Sequence, residues 1–282
     1  ATISFMLNRP RFYKLFMKSP TIIKILLAPL LPSSLLKAFY SQLKHGMRRH
    51  IIEIKNYFKN SKSVLSFSGS INSEQVWLQL INSEDIQRQV NRWLSETSKL
   101  GSKYTVVVQE SVKHGFFRKL FRRGPKQHRK LAFVDSRTNT EVTPREMGLG
   151  VSQFLPILVA AKALRNHRIL VEQPELHLHP AAQCEVADEF IRSYHEQEND
   201  FVIETHSEHL LLRVMKRMRQ TADGTLAQDH PLAITPEDVC LLYVDNNDEL
   251  TYLNELELDN DGALLDPWPN GFFEEGYRER FN

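Results

Sequence analysis

The residues with the most chemistry in a short span lie in ILVEQPELHLHP, residues 169–180. An apolar run ends in Glu172. Gln173, Pro174 and Glu175 follow, and His177 and His179 then alternate with leucines. A carboxylate at the end of a buried strand is placed to hold Mg²⁺, directly or through water, as phosphoryl transfer requires. A second stretch, GLGVSQ, sets Gly148, Gly150, Ser152 and Gln153 ahead of an apolar helix. Free backbone N–H groups and the helix dipole make such a mouth an anion site. In a third, FVIETHSEH, His206 follows another apolar run, between Thr205 and Ser207. A competing reading takes Glu172, Glu175, His177, His179, Glu204, His206, Glu208 and His209 as ligand types for zinc or manganese. It lacks the i, i+4 histidine spacing of HExxH and a nearby cysteine pair. Each feature alone also has a plain reading: a solvated strand end, a glycine turn, a capping histidine. Their order and spacing together favour the functional one.

These side chains need elements to carry them. RILVEQ and DFVIETH read as buried strands. AAQCEVADEFIRSYHEQ and SEHLLLRVMKRMRQ read as amphipathic helices, the second with Ser207 as an N-cap and Glu208 in its first turn. Alternating strands and helices predict a largely parallel α/β sheet. Neighbouring strand ends then lie side by side, so Glu172 and His206 share the edge where ligands sit in open sheets. FLPILVAAKALR is predicted to be a helix with Pro156 in its first turn, where N–H groups have no intrahelical partner.

Upstream, YTVVVQES (104–111) and KLAFVD (130–135) read as strands, and SRTNTEVT as a turn into a short third strand. Ile86, Val90, Trp93 and Leu94 recur at helical spacing within 61–103. Residues 1–60 read as mostly helical segments broken by prolines, and 239–258 as a hairpin. The division expected is a basic helical region or lid over 1–103, a core over 104–245, and an acidic C-terminal extension over 246–282.

The 282-residue chain is 41% hydrophobic and 25% charged, an ordinary globular composition. Cys184 and Cys240 form no disulfide framework, which points to a reducing, cytoplasmic setting. TIIKILLAPLL (21–31) is too short for a span and carries Lys24 and Pro29, so no membrane role is expected. The net charge of +2 conceals an asymmetry: residues 1–60 hold eleven Lys/Arg against Glu53 alone, and 237–282 hold thirteen acids against two arginines. Residues 113–130 hold eight Lys/Arg and no acid, interleaved with Phe116, Phe117 and Phe121. Basic blocks with aromatics suit phosphate backbones, which makes Arg118, Lys119, Arg122 and Arg123 candidates for DNA or RNA contact. A solvated face whose charges balance across the fold is the alternative.

GLGVSQFLPILVAA, ILVEQPELHLHP and FVIETHSEHLLLR together resemble the C-terminal half of an ABC-type ATPase of the prokaryotic AAA and overcoming-lysogenization-defect-like group. WPNGFFEE resembles the C-terminal extension of a subgroup. The resemblance covers about residues 75–282. It implies an ABC-type P-loop NTPase core, a mainly parallel sheet flanked by helices, incomplete at its N-terminus and carrying a helical insertion. It implies ATP and Mg²⁺ as cofactors, with Glu172 as the Walker B acid that organises Mg²⁺. Gln173 falls where many such ATPases carry the glutamate that polarises attacking water. His206 matches the switch histidine that senses the γ-phosphate. Pro174, His177 and His179 fall in the loop that contacts a partner subunit. Gly148, Gly150, Ser152 and Gln153 match the signature motif, which reaches across a dimer to the partner's nucleotide.

Two departures stand out. No G-x-x-x-x-G-K-[ST] loop occurs anywhere in the 282 residues. With Ala1 rather than methionine at the start, the expectation is the C-terminal portion of a longer ATPase. Gln173 cannot act as a base near neutrality but can orient water. That predicts slow hydrolysis and a long-lived nucleotide-bound dimer, with Glu175 as the substitute base. The resemblance also implies a homodimer or higher oligomer, and a nuclease or other effector partner in anti-phage defence. The alternatives are a non-hydrolysing nucleic-acid-binding scaffold and a metal-dependent nuclease built on the Glu/His cluster.

Overall fold

A computed structural model describes residues 2–7, 63–67, 74–96, 104–113, 126–143, 146–246, 251–271 and 273. Its centre is a six-stranded sheet in the order β2-β6-β7-β1-β8-β9. The strands are β1 (Thr2–Leu7), β2 (Ser63–Phe67), β6 (His167–Glu172), β7 (Asp200–Thr205), β8 (Val239–Asn246) and β9 (Thr251–Leu256). β2, β6 and β7 run parallel. β1 runs antiparallel to both of its neighbours, so β8 points the same way as β7. β9 returns antiparallel along β8. Four of six strands therefore share one direction, and the expected largely parallel sheet is present with two reversed members.

The parallel strands are apolar because both faces are covered. In β6, Arg168–Val171 are buried; in β7, only Glu204 is less than buried. β3 (Tyr104–Lys113), β4 (Lys126–Asp135) and β5 (Thr140–Val142) form a separate three-stranded antiparallel sheet. β4 begins at Lys126, four residues before the predicted start, because Lys126–Arg129 continue the ladder opposite Glu110–Lys113. Charges are matched across this sheet: Arg129 on β4 lies 2.9 Å from Glu110 on β3, and Lys130 lies 2.7 Å from Glu141 on β5.

Five α-helices are described: α1 (Glu74–Asn82), α2 (Glu84–Glu96), α3 (Leu149–Ala163), α4 (Pro180–Glu196) and α5 (Glu208–Ala222). α3 is buried almost all round, with Phe154–Ala161 enclosed by α1, α2 and α4. An unbroken ring series runs through the core. Trp93 meets Phe154 at 5.1 Å, Phe154 meets Phe190 at 6.4 Å, and Phe190 meets Phe201 at 4.9 Å. It ties α2, α3, α4 and β7 together, each fully buried ring contributing about 1.5–3 kcal/mol. α4 and α5 are joined by Asp188, whose carboxylate takes Arg213 at 2.7 Å and Arg217 at 2.6 Å.

Three expectations are corrected. Pro156 lies well inside α3, beyond the first turn, so its missing N–H leaves a gap in the helix ladder. That cost is offset by the burial of the helix on all sides. Residues 2–7 and 63–67 are strands of the main sheet, within the region 1–103 expected to be helical. The rest of residues 1–62 lies outside the described residues. Among the described residues no helix is long and apolar enough to cross a membrane.

Candidate functional site

β6 and β7 pair in register with Glu172 opposite Glu204, so two carboxylates stand abreast where the strands end. The ladder continues one step beyond, as the Gln173 N–H donates to the Glu204 carbonyl at 2.8 Å. The chain then turns sharply. Gln173 (φ 46°) and His177 (φ 61°) both take left-handed backbone, uncommon away from glycine and costing about 1 kcal/mol or more each. Between them the Leu176 N–H donates to the Gln173 carbonyl at 3.1 Å, and the Leu178 N–H to the Glu175 carbonyl at 2.9 Å. Strain held in a compact turn at a sheet edge marks a place where the fold positions side chains.

Glu175 points back under this turn and is buried. Its Oε1 accepts from the His206 backbone N–H at 2.8 Å, while Oε2 is buried with no hydrogen-bond partner. The turn after β6 is thus fastened to the segment after β7 at His206. That segment is itself ordered: the Ser207 N–H donates to Thr205 Oγ1 at 2.9 Å, and Ser207 Oγ accepts from the Leu210 N–H at 3.0 Å as the N-cap of α5. The N-cap expected at Ser207 is present.

The two edge acids hold their protons more tightly than ordinary carboxyls. Glu172 is raised first by burial and then by repulsion from Glu204. Glu204 is raised by burial, with His206 acting against the rise and Glu175 adding to it. Half-buried, mutually repelling carboxylates at one strand edge offer the hard oxygen donors that a divalent cation takes. Among the described residues no group of three or more His, Cys, Asp and Glu could hold a metal ion. Among the described residues the Glu/His set is therefore not gathered as a cage of three or more ligands.

A raised carboxyl pKa has a defined sign for stability. Between the ordinary carboxylate range and the raised values the folded chain binds more protons than the unfolded one. In metal-free buffer these two groups therefore add stability as pH falls through that window and withdraw it as pH rises. Glu204→Gln is expected to raise the melting temperature near neutral pH. It is also expected to shrink the gain in stability on acidification from neutral pH towards the ordinary carboxylate range. Calorimetric scans showing the parental pH slope in the variant would contradict this arrangement of charges.

The mouth of α3 meets the same turn. Gly148 is its N-cap at φ 88°, with no side-chain cap hydrogen bond. Gly150 packs directly on the turn: a Cβ there would overlap the His177 carbonyl oxygen and lie 2.8 Å from its carbon and 2.9 Å from Leu178 Cδ2. Ser152 Oγ donates to the Leu149 carbonyl at 3.0 Å, and Gln153 is exposed. The glycine mouth, the turn after β6 and the segment after β7 therefore form one contiguous unit.

The other candidates fall differently. Pro174 is buried within the turn, whereas His177 and His179 are exposed. His179 is the N-cap of α4, its Nδ1 accepting from the Ala181 N–H at 3.2 Å, with Pro180 at the first helical position. Glu208 and His209 are exposed in the first turn of α5. Arg118, Lys119, Arg122 and Arg123 lie outside the described residues. Sequence reasoning did not single out Gln183, which bonds both the turn and Ser207. Its local sequence, an ordinary helix position one turn after His179, carries no signal for that role.

Residues 31–211 match the family model of the AAA ATPase domain. Residues 234–279 match a second model, described as a protein of unknown function (DUF3696). No curated protein matches the chain. The first match contains the glycine mouth, both strand-end acids, the turn and His206.

Proposed function

This chain belongs to the AAA ATPase domain family, and we propose on that premise that it is a subunit of an ABC-type ATPase whose hydrolysis works as a conformational switch. The observation that carries the reading is the edge shared by Glu172, Glu204 and His206, with the glycine mouth of α3 packed on the intervening turn. Phosphoryl transfer needs positioning and charge stabilisation more than covalent chemistry, which the edge acids would provide by holding a cation. Glu172 would hold Mg²⁺, which would supply neutralisation of phosphate charge when bound. Glu204, one strand over, adds negative charge that strengthens the same site for a cation.

Gln173 leaves the strand on left-handed backbone and orients the attacking water without removing its proton. Turnover is then slow. Glu175 is the nearby acid that could accept that proton, although its Oε1 is occupied by the His206 amide. The imidazole of His206, exposed at the edge, contacts the γ-phosphate. No G-x-x-x-x-G-K-[ST] occurs in the 282 residues, so no residue of this sequence is assigned to the phosphate cradle. Gly148, Gly150, Ser152 and Gln153 serve the nucleotide of a second copy, so the active form is a dimer around two ATP·Mg²⁺. The group resembled by these motifs points to anti-phage defence with a nuclease or other effector partner.

His206→Ala in the full-length protein tests the assignment of the switch. Phosphate release is expected to fall about a hundredfold, within the range for loss of one positioned polar group, with ATP binding retained. Release at the parental rate would remove His206 from the reaction.

A further inference from the structure

One side chain joins two parts that the proposed reaction uses separately. Gln183 is half-buried, one turn into α4. Its Nε2 donates to the Leu178 carbonyl at 2.9 Å, at the end of the turn that follows β6. Its Oε1 accepts from Ser207 Oγ at 2.5 Å. Ser207 is 5% exposed, and its oxygen already accepts from the Leu210 N–H, so the hydroxyl proton is left to go to Gln183. The amide is therefore oriented: a flip would set its oxygen against the Leu178 carbonyl. On the other side of the same pair of segments, Glu175 Oε1 takes the His206 N–H. The switch segment Thr205–Ser207 is thus tied to the turn at two points, one through Glu175 and one through Gln183.

We propose that Gln183 is a positioning residue for His206: its Oε1 holds Ser207, and with it the switch segment, on α4, while its bond to the Leu178 carbonyl orients the amide. This rests on the ATPase reading for its catalytic consequence, but not for the hold itself. A single polar bridge between two chain segments fixes their spacing, and a displacement of about 1 Å at such a site costs up to about a hundredfold in rate. Gln183 touches no reacting group and acts only through Ser207 and His206.

Two variants of the full-length protein separate the ends of the bridge. Gln183→Leu removes both. Gln183→Glu keeps an acceptor for the Ser207 hydroxyl but cannot donate to the Leu178 carbonyl. Hydrogen exchange without nucleotide reads the hold directly. Amides 206–210 should exchange about tenfold faster in Q183L and stay within about threefold of the parent in Q183E, a local opening rather than a global one. ATP turnover should follow the same order, with kcat down about tenfold in Q183L and KM for ATP within about twofold, as expected for lost positioning rather than lost binding. Parental exchange in Q183L, or equal acceleration in Q183E, overturns the bridge to Ser207. Accelerated exchange with parental kcat in Q183L overturns the positioning role. If exchange follows the expected pattern while the parent protein hydrolyses no ATP, the hold by Gln183 stands and the ATPase reading falls.

Discussion

Glu172→Gln is expected to cut ATP turnover by the full-length protein by about 10²–10³-fold, the range for deleting one group that stabilises charge at a reacting centre. The substitution is nearly isosteric, and Glu172 makes no ion pair among the described residues, so the turn and the sheet should survive it. It removes one of two adjacent charges. Repulsion between Glu172 and Glu204 is relieved, and the metal-free protein should be as stable as the parent or more so. Gain in stability with loss of activity is the signature of a site built for a cation rather than for the fold. A structural carboxylate would give the opposite pairing. Phosphate release at saturating ATP and Mg²⁺, measured beside a thermal melt of the same preparation, decides between them.

Gly150→Ala is expected to be the most damaging small substitution in the mouth of α3. The new methyl would overlap the His177 carbonyl oxygen, which belongs to backbone and cannot rotate away. Either α3 or the turn must shift, at about 1–3 kcal/mol for a strained, overpacked contact. The turn is also where Glu175 and Gln183 fasten the switch segment, so the displacement should carry through to His206 and lower turnover at least about tenfold. Gly148→Ala is the informative companion. Gly148 has φ 88° and ψ 144°, backbone that side-chain-bearing residues scarcely adopt, but open space where a Cβ would go, so alanine there costs backbone strain of about 1–3 kcal/mol and leaves the turn in place. Thermal melts and ATP turnover of both variants check the contrast. Equal activity in the two would mean that the close approach of α3 to the turn has no part in the reaction.

The features that sequence could reveal are those written in local pattern. β6 and β7 are buried on both faces and so appear as unbroken apolar runs, and their terminal acids stand out against them. Ser207 announces its cap by residue type and by the acid that follows it. Features set by distant partners were hidden. β1 is a six-residue strand in a proline-broken basic region, and its antiparallel place between β7 and β8 depends entirely on those neighbours. Pro156 follows a rule for helix starts that tertiary burial overrides in α3. His179 also caps α4, a role for which the Pro180 beside it was the local clue. Gln183 bonds a carbonyl and a hydroxyl on two other elements, and no spacing rule connects them.

The central claim is that the Glu172–His206 edge is where ATP is hydrolysed. The most direct measurement is single-turnover release of labelled phosphate from ATP bound to the full-length protein, with and without Mg²⁺, for the parent and for Glu172→Gln. The account predicts slow, Mg²⁺-dependent release by the parent and none above background by the variant, with ATP bound by both. Equal release from the two proteins would contradict it.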